Sequence, residues 1–392
     1  MEANVRSFQE GSLELSLVVA CVRGWSDTSP ARQIEGRLAA SPDWSLLQQE
    51  AETHGVFPVV YAQLARVRQL IPLEVWSRLS RANEENVRRS LMLSGELIRA
   101  LQILEATGVP AIPFKGPALA AAVYGDVALR QYSDLDILIR PSDWPRAREA
   151  LVRAGYAPEY SVSGRREQAL LATGYECAFI QEKLRSIVEL QWALLPRFYA
   201  VHTRIDQLFA RARFADWQGH RLRVLDSHDL LLAVSVHAAK HLWRRLAWLL
   251  DVVQIVRTQT LDWNLVRARA REWGVERMAL TGFALAHRLL DAELPVPVAG
   301  WLGGDPAAAA LAEKISQHIV QNRHLDPESL SYFRLISKLR ERPSDRAKFF
   351  WRLAVTPSFG EWLAVRLPDG LFACYRGVRI ARLARRALTR KG

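Results

Sequence analysis

The chain of 392 residues is 49% hydrophobic and 24% charged, which excludes a disordered or fibrous protein and allows roughly two to three domains. Its three cysteines, Cys21, Cys177 and Cys374, are too few and too scattered for a disulfide framework or a thiolate zinc site, and they suit a reducing compartment. A formal net charge of +12 points to an anionic partner.

The first residues hold only a short apolar run interrupted by Glu14, so no signal peptide is expected. No stretch nears the roughly 18 uncharged apolar residues of a membrane span, and a cytoplasmic location is the expectation. Residues 1–108 read as a helical region. Within it, Val87, Leu91, Ile98 and Leu101 form one seam of a helix over 73–107, stopped by Gly108 and roughly 50 Å long. From residue 109 the texture changes. Residues 109–114 look extended, which Pro110 and Pro113 permit only at a sheet edge. Lys115 and Gly116 make a turn into a short helix that has Pro117 at its first position.

The next segment, from Asp134, reads as a strand with period two. Asp134, Asp136 and Leu138 share one face, while Leu135, Ile137 and Ile139 point into a core. Ser142 is the expected N-cap of a following helix. Residues 175–195 predict a hairpin turning near Glu182 to Arg185. In its second arm Val188, Leu190, Trp192 and Leu194 face one way, Glu189 and Gln191 the other. After Asp226 the chain returns to helices, first over 228–257, with a break at 294–306. The fold class is α+β: a small mixed-sheet core (109–226) between an N-terminal helical region (1–108) and a C-terminal helical domain with a basic tail (227–392).

Neighbouring carboxylates repel and resist burial, so Asp134 and Asp136 call for a cation between them. A lone D-x-D is a weak signal, but its surroundings strengthen it. The glycine turn just upstream presents a helix N-terminus and the charge of Lys115, together an anion site. Glu189 lies on the non-core face of a later strand. Three such carboxylates beside a phosphate cradle suit one or two Mg²⁺ ions. Arg130 reads either as a phosphate contact or as a partner for Asp134. His237 and His241 stand one helical turn apart without an obvious third ligand, so a zinc pair is disfavoured. Lys240, His241 and Arg244 are expected near the cleft instead. At the far end, seven Arg or Lys and no acid lie between Arg376 and Gly392. Arg376, Arg379, Arg382, Arg386 and Arg390 would form a stripe on a terminal helix, either a solvated face or a surface for an anionic partner.

In layout these residues resemble the nucleotidyltransferases of the DNA polymerase beta superfamily. The likeness is closer to an uncharacterised bacterial branch with a "KG..LA" turn, "R...DLDILV", "E/D-L-x-W" and a helix "H...H.W..L.W..D". The matching positions are Lys115 to Ala120, Arg130, Asp134 to Asp136, Glu189 to Trp192, and His237, His241, Trp243, Leu246, Trp248 and Asp251. The resemblance implies an Mg²⁺- or Mn²⁺-dependent enzyme that transfers a nucleoside monophosphate from a nucleoside triphosphate such as ATP. Asp134 and Asp136 would bind the metals, Glu189 would complete the second metal site, and Gly116, with Lys115, would admit the triphosphate. Arg130, Lys240 and His241 are further candidates for nucleotide contact. By analogy the acceptor is a small molecule or peptide in natural-product or polysaccharide biosynthesis. Two features depart from the pattern: Pro117 offers no N–H or hydroxyl where Ser or Gly is usual, and Gln191 replaces a usual His. A D-x-D glycosyltransferase using a nucleotide sugar is the enzymatic alternative, and an inactive nucleotide-binding module the other.

Overall fold

Helix-forming sequence dominates both ends of the chain and folds accordingly. The computed structural model describes residues 11–25, 31–160, 163–323, 325–327, 329–357, 361–362, 365 and 367–389. The first helices are α1 (Leu13–Gly24), α2 (Ala31–Leu38), α3 (Trp44–Thr53), α4 (Phe57–Ala65) and α5 (Leu73–Ala106). Side chains of Ser12 and Asp43 cap α1 and α3 by accepting from first-turn N–H groups. Helix α5 has the predicted extent, with 34 residues. Its buried seam differs: Leu93, Leu97, Ala100 and Leu104 pack inward, while Leu91 is 55% exposed. The helix meets α4 near its start and the sheet near its end, so apolar residues occupy more than one face.

A five-stranded sheet follows: β1 (Ile112–Pro113), β2 (Asp134–Leu138), β3 (Ala157–Pro158), β4 (Glu176–Gln181) and β5 (Ser186–Gln191), in spatial order β1-β2-β5-β4-β3. Strand β1 sits at the edge, where Pro113 removes no interior ladder bond. Strands β2 and β5 run parallel, and the other pairs are antiparallel. Helices α6 (Gly116–Tyr124), α7 (Trp144–Arg153) and α8 (Gly164–Thr173) fill the connections. The expected cap Ser142 lies instead in a short 3₁₀ turn, Pro141–Asp143, and Asp143 precedes α7 without a side-chain cap. Helix α9 (Ile205–Arg211) and a second hairpin, β6 (Arg213–Trp217) and β7 (His220–Val224), complete the middle of the chain. The second hairpin is not evident in the sequence.

The remaining helices are α10 (Ser227–Lys240), α11 (Leu246–Thr258), α12 (Trp263–Trp273), α13 (Glu276–Leu290), α14 (Val296–Gly303), α15 (Pro306–Val320), α16 (Leu330–Lys338), α17 (Pro343–Val355) and α18 (Tyr375–Thr389). Two corrections emerge. The single helix expected over 228–257 is two, α10 and α11, separated by a turn at His241–Arg245. Helix α14 occupies most of the 294–306 stretch expected to be a break between helices.

Both faces of the central strands are covered, and the alternation is as predicted. Leu135, Ile137 and Ile139, with Val188, Leu190, Trp192 and Phe179, face a core shared with α5 and α7. Tyr375, at the start of α18, joins this same core. Leu138 faces the opposite way, into the larger core built mainly by the terminal helices. Leu194 joins that second core rather than the Trp192 side, because β5 ends at Gln191 and its alternation lapses. Asp134, Asp136, Glu189 and Gln191 therefore lie on the sheet face that looks toward the helical core. No helix among the described residues is long and apolar enough to cross a membrane.

Candidate active site

The site begins at Gly116. Its φ of +55° is left-handed, and a Cβ there would sit 3.2 Å from the carbonyl oxygen of Asp134. Glycine thus serves both the turn and the close approach of the α6 N-terminus to the start of β2. Pro117 follows within the first turn, where its missing N–H costs no helical bond.

Register then gathers the carboxylates. Asp136 pairs with Glu189 across the parallel β2–β5 ladder, and Gln191 pairs with Glu176 across β4–β5. Directly paired residues share a sheet face, so four polar side chains meet on one surface. The Gln191 amide is the hub. Its Nε2 donates to Asp136 Oδ1 at 2.7 Å, Glu176 Oε2 at 3.2 Å and Glu189 Oε2 at 3.3 Å. Asp134, at the strand's entrance, is paired in register with Ile187 and is less buried than Asp136.

Two lysines supply positive charge. Lys115 Nζ forms an ion pair with Asp136 Oδ1 and lies 3.2 Å from His237 Nδ1. Burial, with Lys115 close by, lowers the His237 pKa well below its usual value, so the neutral ring accepts from the ammonium. Lys240 Nζ donates to the Tyr175 hydroxyl, which in turn donates to Glu176 Oε1. Burial also lowers Lys240, while burial and Glu176 raise Tyr175. The carboxyls respond in the opposite sense to the buried cations. Burial raises Asp136 against the opposing pull of Lys115, and burial with Asp136 and Glu176 pushes Glu189 up to about 9.

Of the two readings of Arg130, a phosphate contact or a partner for Asp134, the second gives way to another carboxylate. The Arg130 Nε and Nη2 make a fork to the Asp251 carboxylate at 2.9 and 3.0 Å, and Tyr124 donates to the same group at 2.9 Å. The pairing with Asp134 is thus replaced by a buried clamp that ties the end of α6 and the following turn to α11. His241 stacks on Trp248 with centroids 5.0 Å apart. Burial and the charges of Lys240 and Arg244 hold its pKa down, at about 2.

The turn after α10 fixes Lys240 and His241. Leu242 and Trp243 both adopt left-handed φ, 50° and 48°, and Trp243 N–H closes the helix end on the Ala238 carbonyl. Trp243 is wholly buried, and Gly282 on α13 makes room for it: a Cβ there would lie 3.1 Å from the indole Nε1.

Of the residues singled out in the sequence, Asp136, Glu189 and Lys115 converge directly, and Gly116 abuts Asp134. Glu176 and Tyr175 escaped that reading. The hairpin register carried a signal for Glu176, since a turn at 182–185 sets position 176 opposite 191. Among the described residues no three metal-ligating side chains form a ready-made cage. The donor set nevertheless fits a hard divalent cation: buried carboxylate oxygens on adjacent strands, with raised proton affinity and few cations of their own. Asp136 and Glu189 are the central pair, with Asp134 at the entrance.

A family model described as "Uncharacterised nucleotidyltransferase" matches residues 40–291, well over half of the chain. The match takes in the glycine turn, all five sheet strands, the helices that carry Lys240 and Asp251, and the turn that holds His241. No curated protein matches the chain.

Proposed function

The chain belongs to this nucleotidyltransferase family, and from that premise we propose that it moves a nucleoside monophosphate from a nucleoside triphosphate, ATP in the first instance, to an acceptor hydroxyl, with Mg²⁺ as cofactor. One observation carries the reading: Asp136 and Glu189 stand in register on parallel neighbouring strands, beside a left-handed glycine that opens a helix N-terminus.

Gly116 leaves the backbone open to the triphosphate, and the N–H groups of the first turn of α6 face its charge. Lys115 supplies the cation that Pro117 cannot replace with an N–H. Asp134, Asp136 and Glu189 would hold Mg²⁺. When bound, the metal supplies charge neutralisation of the phosphates and a more acidic acceptor hydroxyl. The hydroxyl oxygen forms a bond to the α-phosphorus as the bond to pyrophosphate breaks, and pyrophosphate leaves. A carboxylate oxygen of Asp136 or Glu189 takes the hydroxyl proton. Gln191 holds the carboxylates together in a defined spacing, and Lys240 with Tyr175 steadies Glu176 beside them.

Calorimetric titration of a non-hydrolysable ATP analogue, with and without Mg²⁺, tests this on wild type and Asp136→Asn. Wild type should bind only with Mg²⁺ present, and the variant should lose that binding while keeping its fold by circular dichroism. Equal binding by the two proteins overturns the metal assignment. A binding module without turnover is the second reading, favoured by Pro117 and by the Lys115–Asp136 ion pair at the centre of the carboxylates. Pyrophosphate release on mixing with ATP and a cell extract would exclude it.

A further inference from the structure

Beyond Lys240 the chain opens two adjoining cavities. The first is narrow, about 40 Å³, and is lined by Lys240, His241, Arg244, His318 and Arg323 among others. It shares His318, Arg323 and Leu335 with a wider cavity of about 580 Å³, to which Lys314, Arg334 and Lys338 contribute. The described lining of both contains no carboxylate. Among the described residues Arg244, Arg323 and Arg334 have no ion-pair partner, and the buried Nδ1 of His318 has no hydrogen-bond partner. Elsewhere the described arginines commonly find acids, as Arg211, Arg269 and Arg277 do.

We propose that the joined cavities bind the acceptor, and that the acceptor is a small molecule carrying a phosphate group. This rests on the nucleotidyltransferase reading and names the substrate class for it. Four observations converge. Lys240 belongs to both places: its ammonium sits over the carboxylate cluster through Tyr175, and the same residue lines the narrow cavity. The cavity lies one turn of α10 further along than His237, which contacts Lys115 on the triphosphate side. The wider cavity, about 580 Å³, has the volume of a small-molecule site rather than a polymer groove. Lys314, Arg323, Arg334 and Lys338 give the wider part several positive charges, which suits a dianion better than a single carboxylate, and guanidinium forks match phosphate geometry. The unpartnered His318 nitrogen offers one further polar contact.

Inorganic phosphate is the probe, titrated calorimetrically into the full chain at constant ionic strength, with acetate as the control anion. Phosphate should bind while the site is saturated with the ATP analogue and Mg²⁺, and acetate should bind at least tenfold more weakly. The double variant Arg323→Ala/Arg334→Ala should lose at least tenfold in phosphate affinity and none for the ATP analogue, and Arg323→Lys/Arg334→Lys should retain much of it. Unchanged phosphate affinity in the alanine variant, or mutual exclusion of phosphate and analogue, overturns the proposal. Asp136→Asn separates the two ideas: it should lose the analogue and keep phosphate. If it keeps both, the nucleotidyl reading fails while the anion site stands.

Discussion

Gly116 concentrates in one residue the constraints that open the site. Any other residue there would hold a left-handed backbone and press a Cβ on the Asp134 carbonyl. Gly116→Ala should cost about 1–2 kcal/mol in urea unfolding, the scale of an L-residue forced left-handed, and should weaken ATP-analogue binding as well. Unchanged stability would mean that the turn relaxes freely and does not fix the approach of α6 to β2. At this scale the sequence was most legible where chemistry and geometry coincide. Lys115, Gly116, Asp134, Asp136 and Glu189 stand out because a turn glycine and carboxylates with a period of two have few other uses together. Tyr175 and Glu176 were harder to see, and Lys240 stood out without its partners. Their roles depend on which hydroxyl meets which amine across 65 residues, and no local pattern encodes that. Arg130 shows the same limit, since its partner Asp251 lies 121 residues away and was visible only as a motif position.

Among the elements, the break between α10 and α11 is the most consequential feature that periodicity missed. Neither Gly nor Pro marks it; Leu242 and Trp243 take left-handed conformations because Trp243 is buried against Gly282. Gly282→Ala should therefore cost about 1–3 kcal/mol by overpacking. Adding Trp243→Phe removes Nε1, the atom nearest the new methyl, so the double variant should be less destabilised than the sum of the singles. Strict additivity in denaturant melts would refute the coupling. The terminal helix α18 was read as a basic stripe, and the structure divides that stripe. Arg379 and Arg382 turn inward to the fully buried Glu361 at 3.2 and 3.0 Å, while Arg376 is exposed. The Arg386 side chain and Arg390 lie outside the described residues. Arg379→Ala leaves the buried Glu361 with Arg382 but takes away one of its charged hydrogen bonds, so it should destabilise by about 1.5–3 kcal/mol, whereas Arg376→Ala should stay within about 0.5 kcal/mol. Equal effects of the two would return the stripe to a uniform solvated face. Removing 376–392 is then expected to disturb the core that Tyr375 enters, rather than leave it untouched.

Across the whole molecule, the sheet's alternation and the edge place of β1 were legible because period-two patterning and proline geometry are local rules. The joining of sheet to helices was not, because it runs through buried charge. Asp226 is the main example. It caps α10 through the His228 N–H and binds the His228 ring at 2.7 Å, Arg213 at 2.7 Å and Arg269, so one carboxylate links β6, α10 and α12. Burial alone would raise its pKa, but the hydrogen bonds from His228 and Arg269 outweigh it and bring it down to about 2. An unfolded chain's Asp titrates near about 3.9, so as pH falls the unfolded state takes up this proton first. The stabilisation is complete above about pH 4 and is lost as pH falls toward 2. Asp226→Asn keeps the side-chain shape and one acceptor but removes the charge. It should lower the unfolding midpoint in denaturant at pH 7, and the gap from wild type should narrow steadily between pH 4 and pH 2. A gap that stays constant through that window would show that Asp226 acts as a helix cap alone. The links to Arg269 and Arg213 would then contribute nothing to holding the helices against the hairpin.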